Sequence, residues 1–499
     1  MSEIRVTYSG LISFILSLIG IIPATIFMLI ATRSLTPYEF GTWGVITAWI
    51  LYVIMINPII SYWSTRETAR NIKSGTTSVF SSGLFSIGGI ILYIFIVFLV
   101  GPQIDADNSI LFFGLILIPL SFLDRTLEAI NLGWKPHTIQ YAKLSFLLSQ
   151  VIFSLLLVYF LDMHLLGIIV SVAISYVTSI LIHTFYVKNK LREKFRIKFL
   201  KRWLKISWLT LYTTLSATIL WLDITLFSII TGSVIGIAFW TVSSYFPRLI
   251  SNIGLISAAV YPKLLQSDNK KIVEENIILV FYFIFPITAF ILVFARPILF
   301  ILNPIYENIF PIVFVLGIQV FVLTLSNIFQ SYLIGIERVD VNEKSTFKNF
   351  LKSKLFFVPT IEIIKHSTYL VILTIMLLIL TPLKYSQIDL VFYWAIIALF
   401  VQIPFTIYFY ILIKRNFSFK FDTITILKYF FATIISFGTI YILIDEYLNY
   451  DVTIFEFITY VLAFIIFGLL FYFSITFSID LKTRKLLSAI MGELKKKNH

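Results

Sequence analysis

Long apolar segments separated by short polar connections recur along the whole chain. An α-helix needs about 20 apolar residues to cross the hydrocarbon core of a bilayer, and about fourteen segments reach that length. The segments are continuous, whereas the strands of a membrane β-barrel alternate apolar and polar side chains. The pattern therefore predicts an all-α, polytopic membrane protein with spans centred near Ile21, Leu51, Ile90, Ile118, Leu148, Ser175, Ala217, Ile250, Pro286, Ile318, Leu370, Phe400, Phe437 and Ile466.

A weak internal repeat divides the first twelve spans into two sets of six. Gly41–Trp49, which opens span two, is similar to Gly236–Ser244, which opens span eight. Ala129–Trp134, at the end of span four, is similar to Tyr332–Glu337, at the end of span ten. Transporters are often built from such repeated bundles. The predicted plan is an N-terminal six-helix lobe over 1–187, a basic linker over 188–205, a C-terminal six-helix lobe over 206–415, two additional helices over 416–480 and a basic tail over 481–499.

Composition agrees with a membrane protein and excludes several kinds of site. Apolar residues make up 59% of the 499 residues and charged residues only 13%, whereas soluble proteins carry about 25% charged residues. The net charge of +13 does not indicate nucleic-acid binding, because Lys and Arg lie in the connections between apolar segments. Membrane lipids are the expected partners of these cations. The chain contains no cysteine, which excludes disulfides, thiolate metal sites and cysteine nucleophiles.

The distribution of Lys and Arg predicts the orientation in the cytoplasmic membrane, because cytoplasmic connections retain positive charge. With the N-terminus inside, roughly 34 of the 39 Lys and Arg residues fall on the cytoplasmic side. The densest basic run lies between Lys188 and Lys205 and joins spans six and seven. An even number of spans also returns the C-terminus, with Lys495–Lys497, to the cytoplasm. Both termini are therefore predicted to be cytoplasmic.

Several local motifs, taken in order, resemble one transporter superfamily. They are Arg33–Gly41 after span one, Asp223 followed by Gly232–Gly236, Tyr261-Pro262 at the end of span eight, and Asn303–Glu307 before span ten. With the six-plus-six-plus-two plan, they resemble the multidrug, oligosaccharidyl-lipid and polysaccharide exporter (MOP) superfamily, in particular its polysaccharide-transporter branch of lipid-linked oligosaccharide (O-antigen type) flippases. The chain departs from the pattern of this superfamily in span eleven, which is unusually polar.

The resemblance implies a transporter that is not an enzyme and has no cofactor. It implies the flipping of an isoprenoid-pyrophosphate-linked glycan across the cytoplasmic membrane by alternating access, with glycosyltransferases of the same pathway as possible partners. An ion-coupled multidrug or metabolite exporter is the alternative within the superfamily. That branch typically uses an acidic residue inside the first span, and Gly10–Thr32 contains none. Passive lipid scrambling by the same fold is a further alternative.

Charged residues within the spans are the candidate substrate or cavity residues, because charge at bilayer depth is costly unless it faces a partner or water. Asp223 and Arg248 lie in antiparallel spans seven and eight, joined by a tight turn, which predicts that they are neighbours. They are interpreted either as a structural ion pair or as a cation for pyrophosphate gated by an acid. Pro247 is expected to kink span eight beside Arg248.

Three further charged groups have two interpretations each. Asp124, Arg125 and Glu128 in span four are cavity candidates, with snorkelling to the interface as the alternative. Glu362, Lys365 and His366 share one helix face and either neutralise each other or form a coupling site for protons. The third group follows the Asn57-Pro58 break and predicts an interfacial turn that binds lipid headgroups: Arg66, Glu67, Arg70 and Lys73.

Signals for enzyme chemistry are sparse. Asp105-Ala-Asp107 has the form of a glycosyltransferase metal motif, and a membrane glycosyltransferase or polysaccharide polymerase is therefore a third functional alternative. Every predicted external connection is about 15 residues or shorter, which leaves no room for a catalytic domain. The five His residues show no zinc-binding spacing, and no Walker A sequence is present. No metal site and no catalytic residue is predicted.

Overall fold

The computed structural model describes residues 3–192, 194–258, 270–337, 351–416, 422–480 and 484. These residues fold into α-helices with short 3-10 and π segments, and the described ranges contain no strand. The helices in chain order are α1 Glu3–Ser34, α2 Pro37–Ile54, α3 Pro58–Ala69, α4 Gly75–Val100, α5 Asn108–Phe113, α6 Leu117–Trp134, α7 Thr138–Ser154, α8 His164–Val187, α9 Ile197–Ile206, α10 Trp208–Thr231, α11 Ile235–Tyr245, α12 Arg248–Ser251, α13 Gly254–Ala258, α14 Lys270–Val293, α15 Ala295–Leu302, α16 Phe310–Gly335, α17 Lys354–Leu380, α18 Gln387–Asn416, α19 Thr423–Tyr447 and α20 Ile454–Ile479.

The predicted all-α, polytopic membrane fold is confirmed. In the described ranges, eleven helical segments are long and apolar enough to cross a bilayer, or twelve if the bent pair α2–α3 forms one span. The predicted count of about fourteen included two further segments. In the first segment, the apolar helix that meets the description is the shorter stretch Ile19–Ser34 of α1. Span eight is not one continuous helix. The predicted tail over 481–499 and the Tyr261-Pro262 motif lie outside the described residues, apart from Arg484.

Prolines set the breaks in two spans. α2 and α3 are bent by 59° on either side of Asn57-Pro58. Span eight is divided into α11, α12 and α13, and the first break falls at Phe246-Pro247. Proline has no N–H for the helical ladder and its ring clashes with the preceding turn, so a helix ends or bends there. The expected kink at Pro247 is confirmed.

The start of α2 is specified by the Arg33–Gly41 motif. The Thr36 hydroxyl accepts a hydrogen bond from the Glu39 backbone N–H at 3.2 Å, and the Glu39 carboxylate accepts one from the Thr36 N–H at 2.9 Å. Pro37 occupies the first helical position, where its missing N–H costs nothing. This reciprocal capping box fixes where the helix begins.

The openings of α2 and α11, which the repeat relates, pack directly against each other. A Cβ atom on Gly41 would lie 2.0 Å from the Val234 carbonyl oxygen, and one on Gly44 would lie 2.8 Å from the Ile237 side chain. Both glycines are therefore required for this close approach. The contact places side by side the two segments that the predicted repeat relates.

The chain divides into two compact units by its internal contacts. One unit, called unit N here, comprises residues 18–241 and 356–397, and the other, called unit C, comprises the described residues of 1–17, 242–355 and 398–499. Unit C contains a buried apolar cluster in which Tyr282 of α14 packs against Tyr429 of α19 and Tyr472 of α20. The predicted lobe boundaries follow the repeat, whereas this division follows contacts, and those boundaries stay a prediction.

Candidate functional site

Asp223 is the acceptor at one end of a buried hydrogen-bond chain in unit N. The Tyr369 hydroxyl of α17 donates to Asp223 Oδ2 at 2.8 Å, and the Trp394 indole N–H of α18 donates to the same hydroxyl. The Asp223 side chain is 5% exposed. It lies eight residues before the end of α10, or about 12 Å along the helix. A carboxylate at that depth is stabilised by the Tyr369 hydroxyl and by the Ile224 backbone N–H, which donates to Oδ1 at 2.7 Å, because nearby lipid supplies no donor.

Aromatic side chains enclose this chain. The Trp394 ring stacks on Trp240 with 3.9 Å between ring centroids and on Phe227 with 4.9 Å. On the α2 side, the Tyr52 hydroxyl lies 2.7 Å from the Thr225 hydroxyl, and the Trp49 indole N–H donates to the same Thr225 oxygen at 3.2 Å. Helices α2, α10, α17 and α18 are therefore joined at the level of Asp223 by polar contacts inside an aromatic shell.

A second charged cluster lies one to two turns earlier along the contact between α10 and α17. Lys365 Nζ lies 2.7 Å from the Glu362 carboxylate, and Lys365 is buried. His366 Nδ1 lies 2.9 Å from the Ser216 hydroxyl, and His366 Nε2 lies 3.8 Å from Glu362. The ion pair lets α17 carry two charges through an apolar environment, because each offsets the cost of burying the other.

The predicted group in span four separates into one enclosed acid and two exposed charges. Asp124 accepts a hydrogen bond from the Ser179 hydroxyl of α8 at 2.6 Å and lies 4.0 Å from His183 Nε2. Arg125 and Glu128 are exposed. They lie nine and six residues before the end of α6, or about 14 and 9 Å along the helix. An exposed charge at such depth faces water far more favourably than lipid.

Arg248 begins α12, immediately after the break at Pro247. It is exposed, and its guanidinium donates to the Ser244 hydroxyl at 3.1 Å. Arg248 belongs to unit C and Asp223 to unit N. The predicted pairing of Arg248 with Asp223 stays a prediction.

Glu67 differs from its predicted place in an interfacial turn. It is 3% exposed, and its carboxylate accepts hydrogen bonds from the Arg202 guanidinium and, at 2.8 Å, from the Trp203 indole N–H. These partners lie on α9 in the basic linker, 135 and 136 residues away along the chain. The interpretation of Glu67 as a headgroup-binding residue is therefore wrong, because its carboxylate holds the linker helix.

The sequence did not reveal several of these partners. Ser179, His183 and Tyr369 contact the candidate acids, and Trp394 holds Tyr369. None of the four carries a pattern that distinguishes it from other polar and aromatic residues in the spans. Asp107 of the Asp105-Ala-Asp107 motif accepts from the Ser109 backbone N–H at 2.8 Å and caps α5. The Asp107 carboxylate therefore serves as the N-cap of α5.

Comparison with solved structures gives matches among membrane transporters. The chain is similar to the lipid II flippase MurJ in an inward closed conformation, over 97% of its own length and 100% of that chain, with a TM-score of 0.64 and 16% identity. It is similar to an inward-facing multidrug resistance MATE family transporter over 79% of its length and 95% of that chain, with a TM-score of 0.61 and 14% identity. A MOP superfamily transporter from Pyrococcus furiosus matches over 83% and 95%, with a TM-score of 0.50 and 15% identity.

The chain therefore has the fold of the MOP superfamily transporters. The resemblance predicted from the sequence is confirmed at the level of the fold. Comparison with protein-family models and with curated proteins gives no match.

Proposed function

We propose that the protein translocates an isoprenoid-pyrophosphate-linked oligosaccharide across the cytoplasmic membrane by alternating access, with both termini in the cytoplasm. The supporting observation is the extent of the match to the lipid II flippase. A match over 97% of the chain leaves too few residues for α19 and α20 to lie outside it, whereas the match to the multidrug transporter leaves about a fifth of the chain uncovered. The nearly full-length match therefore favours the flippase plan.

Arg125 of unit N is a proposed contact for the pyrophosphate, and Arg248 of unit C is proposed separately as another. Both are exposed cations in spans, and a guanidinium pairs with phosphate oxygens through a planar pair of donors. Glu128 lies one turn from Arg125 and is proposed to limit its affinity, so that the headgroup can leave. Asp223, held by Tyr369, is the proposed acid that responds to movement of α10 against α17.

Glu362, Lys365 and His366 are proposed to neutralise one another. The 2.7 Å separation of Glu362 and Lys365, with Lys365 buried, supports a structural ion pair. A coupling role for this cluster is the alternative. It predicts that Glu362→Gln abolishes ion-driven transport without loss of folded protein.

The test is a translocation assay in proteoliposomes with a fluorescent isoprenyl-pyrophosphate-linked oligosaccharide. A membrane-impermeant quencher reports how much substrate has crossed. The proposal predicts protein-dependent crossing at a rate well above that of protein-free liposomes. Crossing no faster than in protein-free liposomes would contradict it.

The same liposomes discriminate the second candidate, a multidrug exporter, which the match to the multidrug resistance transporter favours. A fluorescent organic cation replaces the lipid-linked sugar. Uptake of the cation without crossing of the lipid-linked sugar would favour drug export. Crossing of phospholipids at the same rate would instead favour scrambling.

Two substitutions test the proposed residues in this assay. Arg248→Ala removes a headgroup contact and is expected to lower the rate about tenfold or more, since one charged hydrogen bond contributes about 1.5–3 kcal/mol. Asp223→Asn is expected to lower it as well. Asp451→Asn, at an exposed loop position, is the control. Activity equal to the control in both variants would remove these two residues from the mechanism.

A further inference from the structure

Five polar side chains, four of them buried, form a chain of contacts between α6, α7 and α8 in unit N. Ser179 donates to Asp124 Oδ1 at 2.6 Å, and His183 Nε2 lies 4.0 Å from the same oxygen. On the other side of the ring, Asn131 Nδ2 lies 2.9 Å from His183 Nδ1. The Thr138 hydroxyl donates to Asn131 Oδ1 at 2.8 Å.

These contacts fix the tautomer of His183. Asn131 Nδ2 lies 3.1 Å from the Leu127 carbonyl oxygen and 3.2 Å from the His183 carbonyl oxygen, and two such acceptors place the amide N–H₂ group, not the amide oxygen, on this side. His183 Nδ1 therefore faces an N–H₂ group at 2.9 Å, which favours the tautomer without a proton on Nδ1. The proton of the neutral ring lies on Nε2, which faces Asp124. His183 is 3% exposed, and a second ring proton would cost the Asn131 hydrogen bond.

Asp124 differs from the buried acids that have a cation beside them. Glu67 pairs with Arg202 and Glu362 with Lys365. Within the described ranges, the ion-pairing group within 4.0 Å of Asp124 is His183, which is held neutral. The negative charge of Asp124 is therefore not offset by a paired cation at this distance in the described part of the chain. The Asp124 side chain is 16% exposed, so it is not fully enclosed by the helices.

Other charged and titratable groups act on Asp124 from both helices. Arg125 and Glu128 of α6 have opposing effects on its charge, and Tyr176 of α8 lies within electrostatic range of it. Arg125 is the exposed cation proposed above to bind pyrophosphate. The negative charge of Asp124 weakens the positive potential at that guanidinium, and a proton on Asp124 removes this effect.

We propose that Asp124 and His183 form a proton-binding site, and that a proton bound there strengthens the binding of an anionic headgroup at Arg125. The coupling is reciprocal, so that headgroup binding must also promote proton uptake. This inference rests on the proposed function for its substrate, but the proton site is defined by α6 and α8 alone.

The binding of a fluorescent isoprenyl pyrophosphate to the purified full-length protein in detergent tests the coupling. The parent should bind about fivefold or more tightly at mildly acidic pH than at mildly alkaline pH. Asp124→Asn has no titratable side chain at position 124. Its affinity should therefore change with pH only as far as the probe itself ionises. Asp124→Glu should restore the dependence, and Asp451→Asn should match the parent. His183→Gln should move the pH at which binding tightens.

An Asp124→Asn variant that keeps the full pH dependence of the parent would overturn the proposal. Infrared spectroscopy of the carboxyl stretch provides a readout that needs no substrate. The parent should show a protonated-carboxyl band that titrates, and this band should be absent from Asp124→Asn and shifted in His183→Gln. If the parent binds no pyrophosphate probe, the proposed function fails while this band still tests the proton site. Identical spectra for the parent and Asp124→Asn would overturn the site itself.

Discussion

Single residues show how this chain carries charge through an apolar environment. Asp223 accepts from a tyrosine, Glu362 pairs with a lysine and Asp124 accepts from a serine. Each of these hydrogen bonds or ion pairs offsets part of the cost of a charge at bilayer depth, which is several kcal/mol. The three acids differ in how firmly their partners are held. The tyrosine at Asp223 is itself held by Trp394, which makes that contact the most constrained of the three.

Tyr369→Phe is expected to destabilise the protein by about 1–2 kcal/mol, because it removes the donor to buried Asp223 and leaves the Trp394 N–H without its acceptor. Thermal unfolding in detergent measures the effect. Tyr441→Phe is the control, since Tyr441 is 60% exposed on α19. A melting temperature equal to that of the control would show that the hydrogen-bond chain adds nothing to stability.

The candidate acids could be found from the sequence, but most of their partners could not. An ionisable residue inside a long apolar segment is visible in one sequence, which is why Asp124, Asp223 and Glu362 were predicted. Tyr369 lies 146 residues from Asp223, and Ser179 lies 55 residues from Asp124. Such pairs depend on which helices pack together, and no local pattern specifies that.

At the scale of helices, the basic linker forms a fixed part of unit N. A Cβ on Gly75 would lie 2.4 Å from the Lys190 carbonyl oxygen, and the Thr76 hydroxyl donates to the Leu191 carbonyl at 2.9 Å. Helix α9 then buries Leu200 and Trp203 against α3 and α4. The opposite face of α9 exposes its cations, as at Lys198 and Lys205. This is the geometry of an interfacial helix.

Glu67→Gln is expected to loosen α9, because the carboxylate that binds Arg202 and Trp203 loses its charge. Limited digestion with trypsin should cut the 188–205 stretch several-fold faster than in the parent. Glu446→Gln, at an exposed position on α19, provides the matched control. Digestion at the control rate would mean that the apolar contacts alone hold the helix.

Gly41→Ala is expected to destabilise the contact between α2 and α11, because the new Cβ would meet the Val234 carbonyl at 2.0 Å. Elsewhere a helical glycine-to-alanine change is favourable by about 1 kcal/mol. Gly88→Ala in α4 is the control, since no atom lies within 4 Å of the added Cβ. Thermal unfolding should give a lower midpoint for Gly41→Ala than for the control, and equal midpoints would contradict the close packing.

The helix breaks could be predicted from the positions of the prolines, whereas the docking of helix α9 could not be predicted. The bend at Pro58 and the interruption at Pro247 follow from one residue each. The docking of α9 requires Glu67 to meet partners 135 residues later, and the charge of Glu67 suggested an exposed site instead. A buried acid and an interfacial acid look the same in one sequence.

At the scale of the whole molecule, the charge asymmetry predicts which connections lie in the cytoplasm. The chain has no cysteine, so single cysteines can be introduced without background. Lys198→Cys should react with a membrane-impermeant maleimide only after cells are permeabilised, and Asp451→Cys should react in intact cells. Labelling of Lys198→Cys in intact cells would reverse the proposed orientation.

The central claim is that exposed charges in α6 line a water-filled path for a lipid-linked pyrophosphate. Glu128→Cys, about 9 Å inside the end of α6, should react with a water-soluble maleimide, and an isoprenyl-pyrophosphate-linked oligosaccharide should protect it. Ile91→Cys is the comparison, because Ile91 is 64% exposed on the apolar surface of α4 and should stay unreactive. If Glu128→Cys is as unreactive as Ile91→Cys, or reacts equally with and without the glycolipid, the account is wrong.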